Sequence, residues 1–333
     1  MEPGAIARAP IIHKTLPMPR ILIASPHRYA DLARLWYRFV ARDLVPVLER
    51  AGHQVEVLIF RDAHVDEFDS AWFPGATLEA PGPGVRDFLE FYDAALVLDS
   101  DYLFLLDADL FFLDAAWAAS WTACLKDPKV AAVSLLRRGE EPGVYALLCR
   151  SDSYRALPKP VFAPAYENLD NARNTVNRQP GDVAARRLRE QGKQIIYANP
   201  EDAEERIADF HGTTVIRASR EVFGHLMDLR GFEKLVSRKR YFAMGAYDNA
   251  LLGALYQALF GEPFAPGPGG EPLGGSVTAE AVRRELAQVL DIPLKDVLSD
   301  YFDRSDKAIL RLAAHEGIEF ALPVLRPESW RRP

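Results

Sequence analysis

The sequence predicts an α/β domain built on a mostly parallel sheet, followed by a helical C-terminal segment. Three observations carry this expectation. A strand, a helix and a second strand open the chain after residue 20; a strand apolar on both faces follows at Tyr102 to Leu106; and a stretch dense in Pro and Gly, Glu262 to Ser276, precedes two helical patterns. With 333 residues the chain is long enough for one large domain with appendages.

Residues 1–19 read as a loose leader. Ile21-Leu22-Ile23-Ala24 is a short buried-type strand closed by Ser25-Pro26. From Tyr29 to Gly52, apolar residues recur every three or four positions (Leu32, Leu35, Trp36, Phe39, Val40, Leu44, Val47, Leu48), which gives an amphipathic helix stopped by Gly52. Val55 to Phe60 is the second strand, and a βαβ unit of this length builds a parallel pair. A helix over Gly84 to Leu98 leads into Tyr102 to Leu106, whose unbroken hydrophobicity marks a central strand covered on both sides. Then come a helix over Ala115 to Lys126 and strands over Val130 to Leu136 and Val144 to Cys149. Pro158 to Pro180, rich in Pro, Asn and Arg, reads as a long irregular loop, of the kind that is usually functional or mobile. Asp182 to Gln191 is a helix, Gln194 to Tyr197 and Thr213 to Arg217 are strands, and Tyr247 to Phe260 is a helix after Gly245. Beyond the Pro/Gly stretch, Thr278 to Leu290 and Leu294 to Glu316 are helical. The resulting division is 1–19 leader, 20–261 main domain, 262–276 linker and 277–333 helical segment.

Charge and composition narrow the function classes. A formal charge of −7 argues against a nucleic-acid binder, which carries a basic face. Cys124 and Cys149 form no CxxC pair, so neither a disulfide framework nor a zinc site is expected. The apolar stretch Ala94 to Leu113 is broken by Asp99, Asp101, Asp107 and Asp109, which a bilayer would penalise, and no secretory leader is seen. The expectation is a cytoplasmic protein without a transmembrane segment. A homodimer paired through the C-terminal helices stays open.

The most informative residues are Leu105-Leu106-Asp107-Ala108-Asp109. Ligands of open α/β sheets gather at the carboxyl ends of strands. Two acids there repel each other and resist desolvation unless a cation compensates them. Mg²⁺ or Mn²⁺ suits such oxygen ligands and keeps positions for phosphate oxygens.

Here the chain resembles the glycosyltransferases of the GT-A fold, over roughly Arg20 to Phe260. Their DxD motif ends a central strand and is matched by Asp107-Ala108-Asp109. The resemblance implies a central mixed, mostly parallel sheet flanked by helices, and a hexosyltransferase-type enzyme. Such an enzyme moves a sugar from a nucleotide-diphosphate sugar (UDP favoured over GDP) to an acceptor hydroxyl. It implies Asp107 and Asp109 as ligands of Mn²⁺ or Mg²⁺, with Asp107 also facing the donor and His211 as a further ligand, although His211 precedes Asp248 where many members have the opposite order. Tyr247-Asp248-Asn249 resembles the acidic helix-start motif of inverting members, with Tyr in place of the first acid. Asp248 is then the general base, with Asp182 as its rival. Donor contacts are expected from Ser25, His27 and Arg28 after the first strand, Asp62 after the second, and Arg86 on the helix before the acidic strand. Tyr166, Glu167, Asn168 and Asp170 are expected on an acceptor or lid loop.

Two other readings compete. In phosphatases of the haloacid dehalogenase type the DxD ends the first strand, and Thr or Val stands two residues after the second Asp, where this chain has Phe111. A non-catalytic sugar-nucleotide-binding protein would keep the acidic pair and lose turnover.

Overall fold

The computed structural model describes residues 17–27, 29–61, 68–79, 88–137, 141–162, 166–168, 175–177, 181–198, 206–210, 232–264 and 295–326. Strands in chain order are β1 (Arg20–His27), β2 (Gln54–Arg61), β3 (Ala76–Glu79), β4 (Tyr102–Leu106), β5 (Leu110–Phe112), β6 (Val130–Arg137), β7 (Glu141–Arg150), β8 (Tyr166–Asn168), β9 (Thr175–Asn177), β10 (Gln194–Ala198) and β11 (Ile207–Asp209). Helices are α1 (Ala30–Phe39), α2 (Val45–Arg50), α3 (Phe88–Val97), α4 (Ala116–Cys124), α5 (Ser151–Arg155), α6 (Asp182–Glu190), α7 (Phe232–Phe260) and α8 (Lys295–His315).

Among the described residues, seven strands form the main sheet in the order β10-β6-β7-β4-β1-β2-β3. β3, β2, β1 and β4 run parallel, as do β6 and β10, while β7 is antiparallel to both β4 and β6. This is the mixed, mostly parallel sheet the sequence predicts. β1 pairs with β2 on one side and β4 on the other, so the strand order reverses there. In an open α/β sheet the carboxyl end of such a reversal is where a crevice opens.

Alternation along the strands splits the core into two layers. Ile21, Ile23, Phe104 and Leu106 join one buried cluster with residues of α1, α2, α4, α7 and α8. Leu22, Ala24, Leu103 and Leu105 join the other with α3, α5 and α6. β4 is therefore buried at all five positions, as its sequence demands.

Several elements differ from expectation. β1 runs on to His27 through Pro26, because β4 pairs with it only from Ile21 to Ala24. Past that point β1 is an edge on that side, and a residue without an N–H is tolerated. The first helix holds a π-helical stretch, Val40–Leu44, before Pro46. Pro46 can donate no bond to the carbonyl four residues back, and the wider turn absorbs the gap. β3, β5, β11 and α5 were not expected, and β8 pairs antiparallel with β9 inside the expected loop.

The largest difference is α7. It begins at Phe232, not Tyr247, and carries Gly245 in its interior. All residues from Ala243 to Ala250 are buried, so packing on every side outweighs the roughly 1 kcal/mol that an interior glycine costs. α8 packs on α7 and shares the α1-side cluster through Leu298, Phe302, Ile309 and Leu312. Arg38 and Arg42 both pair with the buried Glu316 just after α8, fixing its end to the first helix. The expected strand Thr213 to Arg217, the helix Thr278 to Leu290 and residues 265–276 of the expected linker lie outside the described residues. Cys124 and Cys149 are free thiols, and among the described residues no helix is long and apolar enough to cross a membrane.

Candidate functional site

β4 delivers Asp107 and Asp109 at its carboxyl end. Leu106 still belongs to the α1-side core, so alternation turns Asp107 toward α3. There the buried Tyr92 donates its hydroxyl proton to Asp107 Oδ1 at 2.8 Å. Asp107 is partly exposed, whereas Asp109 retains only 3% exposure. The Leu110 N–H bonds the Asp107 carbonyl at 3.3 Å, so the motif is a tight turn into β5.

β5 is held by β11, with Asp209 opposite Leu110 and Ala208 opposite Phe111. Phe210, next in the chain, donates its N–H to the Asp109 carbonyl at 3.2 Å. The backbone around 207–210 is thus fastened directly to the acidic turn. His211, the expected third ligand, lies outside the described residues, as do Arg28, Asp62, Arg86 and Asp170. Among the described residues no three His, Cys, Asp or Glu side chains gather as a metal cluster. The donor set still fits a hard divalent ion, because Mg²⁺-type sites commonly use one or two carboxylates and fill the rest with water and phosphate oxygens.

Ser25 and His27 do not sit in a loop after β1, as the sequence suggested. Both are buried within the strand, at 0% and 2% exposure, on the side of α1. The His27 ring lies 4.8 Å from that of Trp36, and neither ring nitrogen has a hydrogen-bond partner among the described residues. Burial lowers its pKa from 6.5 to about 3, so it is neutral in the folded protein. Between these values the unfolded chain holds a proton that the native state refuses. Stability should therefore fall as pH drops from 6.5 toward 3, with a slope approaching about 1.4 kcal/mol per pH unit. Urea unfolding of His27→Leu should show a shallower acid limb; a limb parallel to the parent's would remove His27 as its source.

Asp248 does not start a helix. It lies inside α7, fully buried, and accepts a hydrogen bond from Tyr301 of α8. Its neighbour Tyr247 donates to Asp306 at 2.7 Å and stacks on Phe302 at 4.1 Å, so both residues meet the C-terminal helix. The fit of Tyr247-Asp248 to a helix-start acid is corrected by this geometry. Asp182 does open a helix, α6, behind Gly181 at φ 98°. A three-residue turn returns α6 into β10, so the start of α6 stands at the carboxyl edge of the sheet, the edge that carries the acidic pair. Glu167 and Asn168 fall on β8, opposite Val176 and Thr175 of β9, with Tyr166 opposite Asn177.

Tyr92 escaped the sequence reading because it falls in the apolar run of α3 with Phe91, Ala95 and Leu96. Its signal was chemical: a buried tyrosine hydroxyl needs a partner.

No protein-family model matches the chain, and no curated protein matches its sequence. Solved structures do match. One is a mannosyltransferase from Pyrobaculum calidifontis in complex with GDP-Man and Mn²⁺, 15% identical over 92% of this chain and 78% of that one, with a TM-score of 0.44. Another is glucosyl-3-phosphoglycerate synthase from Mycobacterium tuberculosis with Mn²⁺, UDP-glucose and glycerol 3-phosphate, 12% identical over 54% and 70%, at 0.37. A third is S. aureus TarS 1–349, 10% identical over 91% and 93%, at 0.33. At these values no residue's role passes from them to this chain.

Proposed function

We propose that the chain is a divalent-metal-dependent glycosyltransferase that moves a sugar from a nucleotide-diphosphate sugar to an acceptor hydroxyl. One observation carries the reading: two carboxylates, one residue apart, end a fully buried central strand where the strand order of an α/β sheet reverses. Asp107 and Asp109 would hold Mn²⁺ or Mg²⁺, which supplies charge neutralisation to a departing diphosphate. Asp109, being buried, fixes the motif, and the more open Asp107 faces the donor. His211 follows directly on Phe210, which is bonded to the Asp109 carbonyl, and this supports it as a third ligand. Of the two candidate bases, Asp182 is favoured by its place, because it opens α6 at the sheet edge that carries the acidic pair, whereas Asp248 lies inside α7 and is taken up by Tyr301 of α8. Inversion through Asp182 is then the expected stereochemistry, to be read from the anomeric configuration of the product by NMR. The phosphatase alternative is disfavoured because, among the described residues, the acidic pair follows the fourth strand, not the first.

The test is a thermal-shift panel of nucleoside diphosphates, UDP and GDP foremost, with and without Mn²⁺. Selective, Mn²⁺-dependent stabilisation by one of them is the expected result, about 2.7 kcal/mol at a hundred times Kd. Indifference to every nucleotide, or equal shifts with chelator present, would defeat the proposal.

A further inference from the structure

We infer that Tyr92 is a positioning residue for the metal site: its hydroxyl fixes the plane of the Asp107 carboxylate so that metal affinity depends on it. This rests on the metal role proposed for Asp107. The hydroxyl donates to Asp107 Oδ1 at 2.8 Å from a side chain with 0% exposure. A hydrogen bond from a buried donor holds a metal-ligating carboxylate in one orientation, and such outer partners typically set metal affinity by about 10- to 100-fold.

Tyr92 is itself held from behind. Its ring meets Phe162 edge-on at 5.9 Å, and Phe162 stacks on Tyr154 at 5.7 Å. The next residue on α3, Asp93, takes the Val161 N–H at 2.9 Å. α3 is thereby tied at one point to the acidic turn and at the adjacent residue to the segment Val161-Phe162, which leads toward the β8–β9 hairpin. The seat of the hydroxyl is built from three elements, so its position is not a matter of side-chain drift.

Tyr92→Phe deletes one oxygen and keeps the ring on Phe162. Mn²⁺ titration of the purified full chain, followed by electron paramagnetic resonance, should show Kd weakened about tenfold or more. The melting temperature without metal and the affinity for nucleotide in chelator should stay near the parent's. If the parent binds Mn²⁺ and Asp107→Asn abolishes it, yet Tyr92→Phe titrates like the parent, the positioning role is wrong and the metal site stands. If the parent shows no Mn²⁺ binding at all, the functional proposal fails first. Should Tyr92→Phe melt early but keep parental metal affinity, the hydroxyl serves the fold alone and the inference is overturned.

Discussion

Asp109→Asn should abolish the Mn²⁺-dependent part of nucleoside-diphosphate binding while leaving the metal-free protein folded. The two halves of this result have opposite electrostatic causes. Asp109 is 3% exposed and one residue from Asp107 at the same strand end, so without a cation the pair carries mutual repulsion and a desolvation cost. Neutralising one member removes part of that repulsion and keeps the size of the side chain, so the metal-free protein should still fold. With the ion present, the amide no longer supplies a charged ligand, and the stabilisation conferred by metal and nucleotide together disappears. Turnover should fall about a thousandfold, the equivalent of losing several kcal/mol of charge neutralisation on the leaving group. Unchanged turnover in this variant would remove the metal role and the proposed activity with it.

Phe104→Ala should cost about 3–5 kcal/mol, the range for emptying a well-packed aromatic site. Phe104 is fully buried at the centre of β4, with its ring 6.1 Å from that of Trp117 and 5.9 Å from that of Trp121. The two indoles are 4.5 Å apart and cannot both collapse into the space without giving up their own contact. For a chain of this size the melting temperature should drop by about 4–7 °C. Calorimetry checks the figure, and a loss under about 1 kcal/mol would mean that this part of the core is loosely packed.

What the sequence discloses is set by length and periodicity. β4 was legible to the residue, because five apolar positions followed by an acid have few other interpretations. β5 and β11, three residues each, are too short to show a period, yet they fasten residues 207–210 to the acidic turn. Gly245 and the Tyr-Asp pair after it suggested a helix start, and only tertiary packing shows that α7 runs through them. The same limit hid Tyr92: an aromatic in an apolar helix looks like core until its hydroxyl is seen on Asp107. Ser25 and His27 were misplaced for a related reason, since Pro26 signals a strand end unless the pairing of β1 on its β4 side is known to stop at Ala24.

The closing of Glu316 on Arg38 and Arg42, with His315 stacked on Phe39, joins residues almost 280 positions apart in the chain. During synthesis the first helix therefore waits, its outer side uncovered, until nearly the whole polypeptide has left the ribosome. A fragment stopped before residue 295 would lack Leu298, Phe302, Ile309 and Leu312, which fill one wall of the interior, and would expose grease in their place. Trimming this protein from its carboxyl end should yield aggregates.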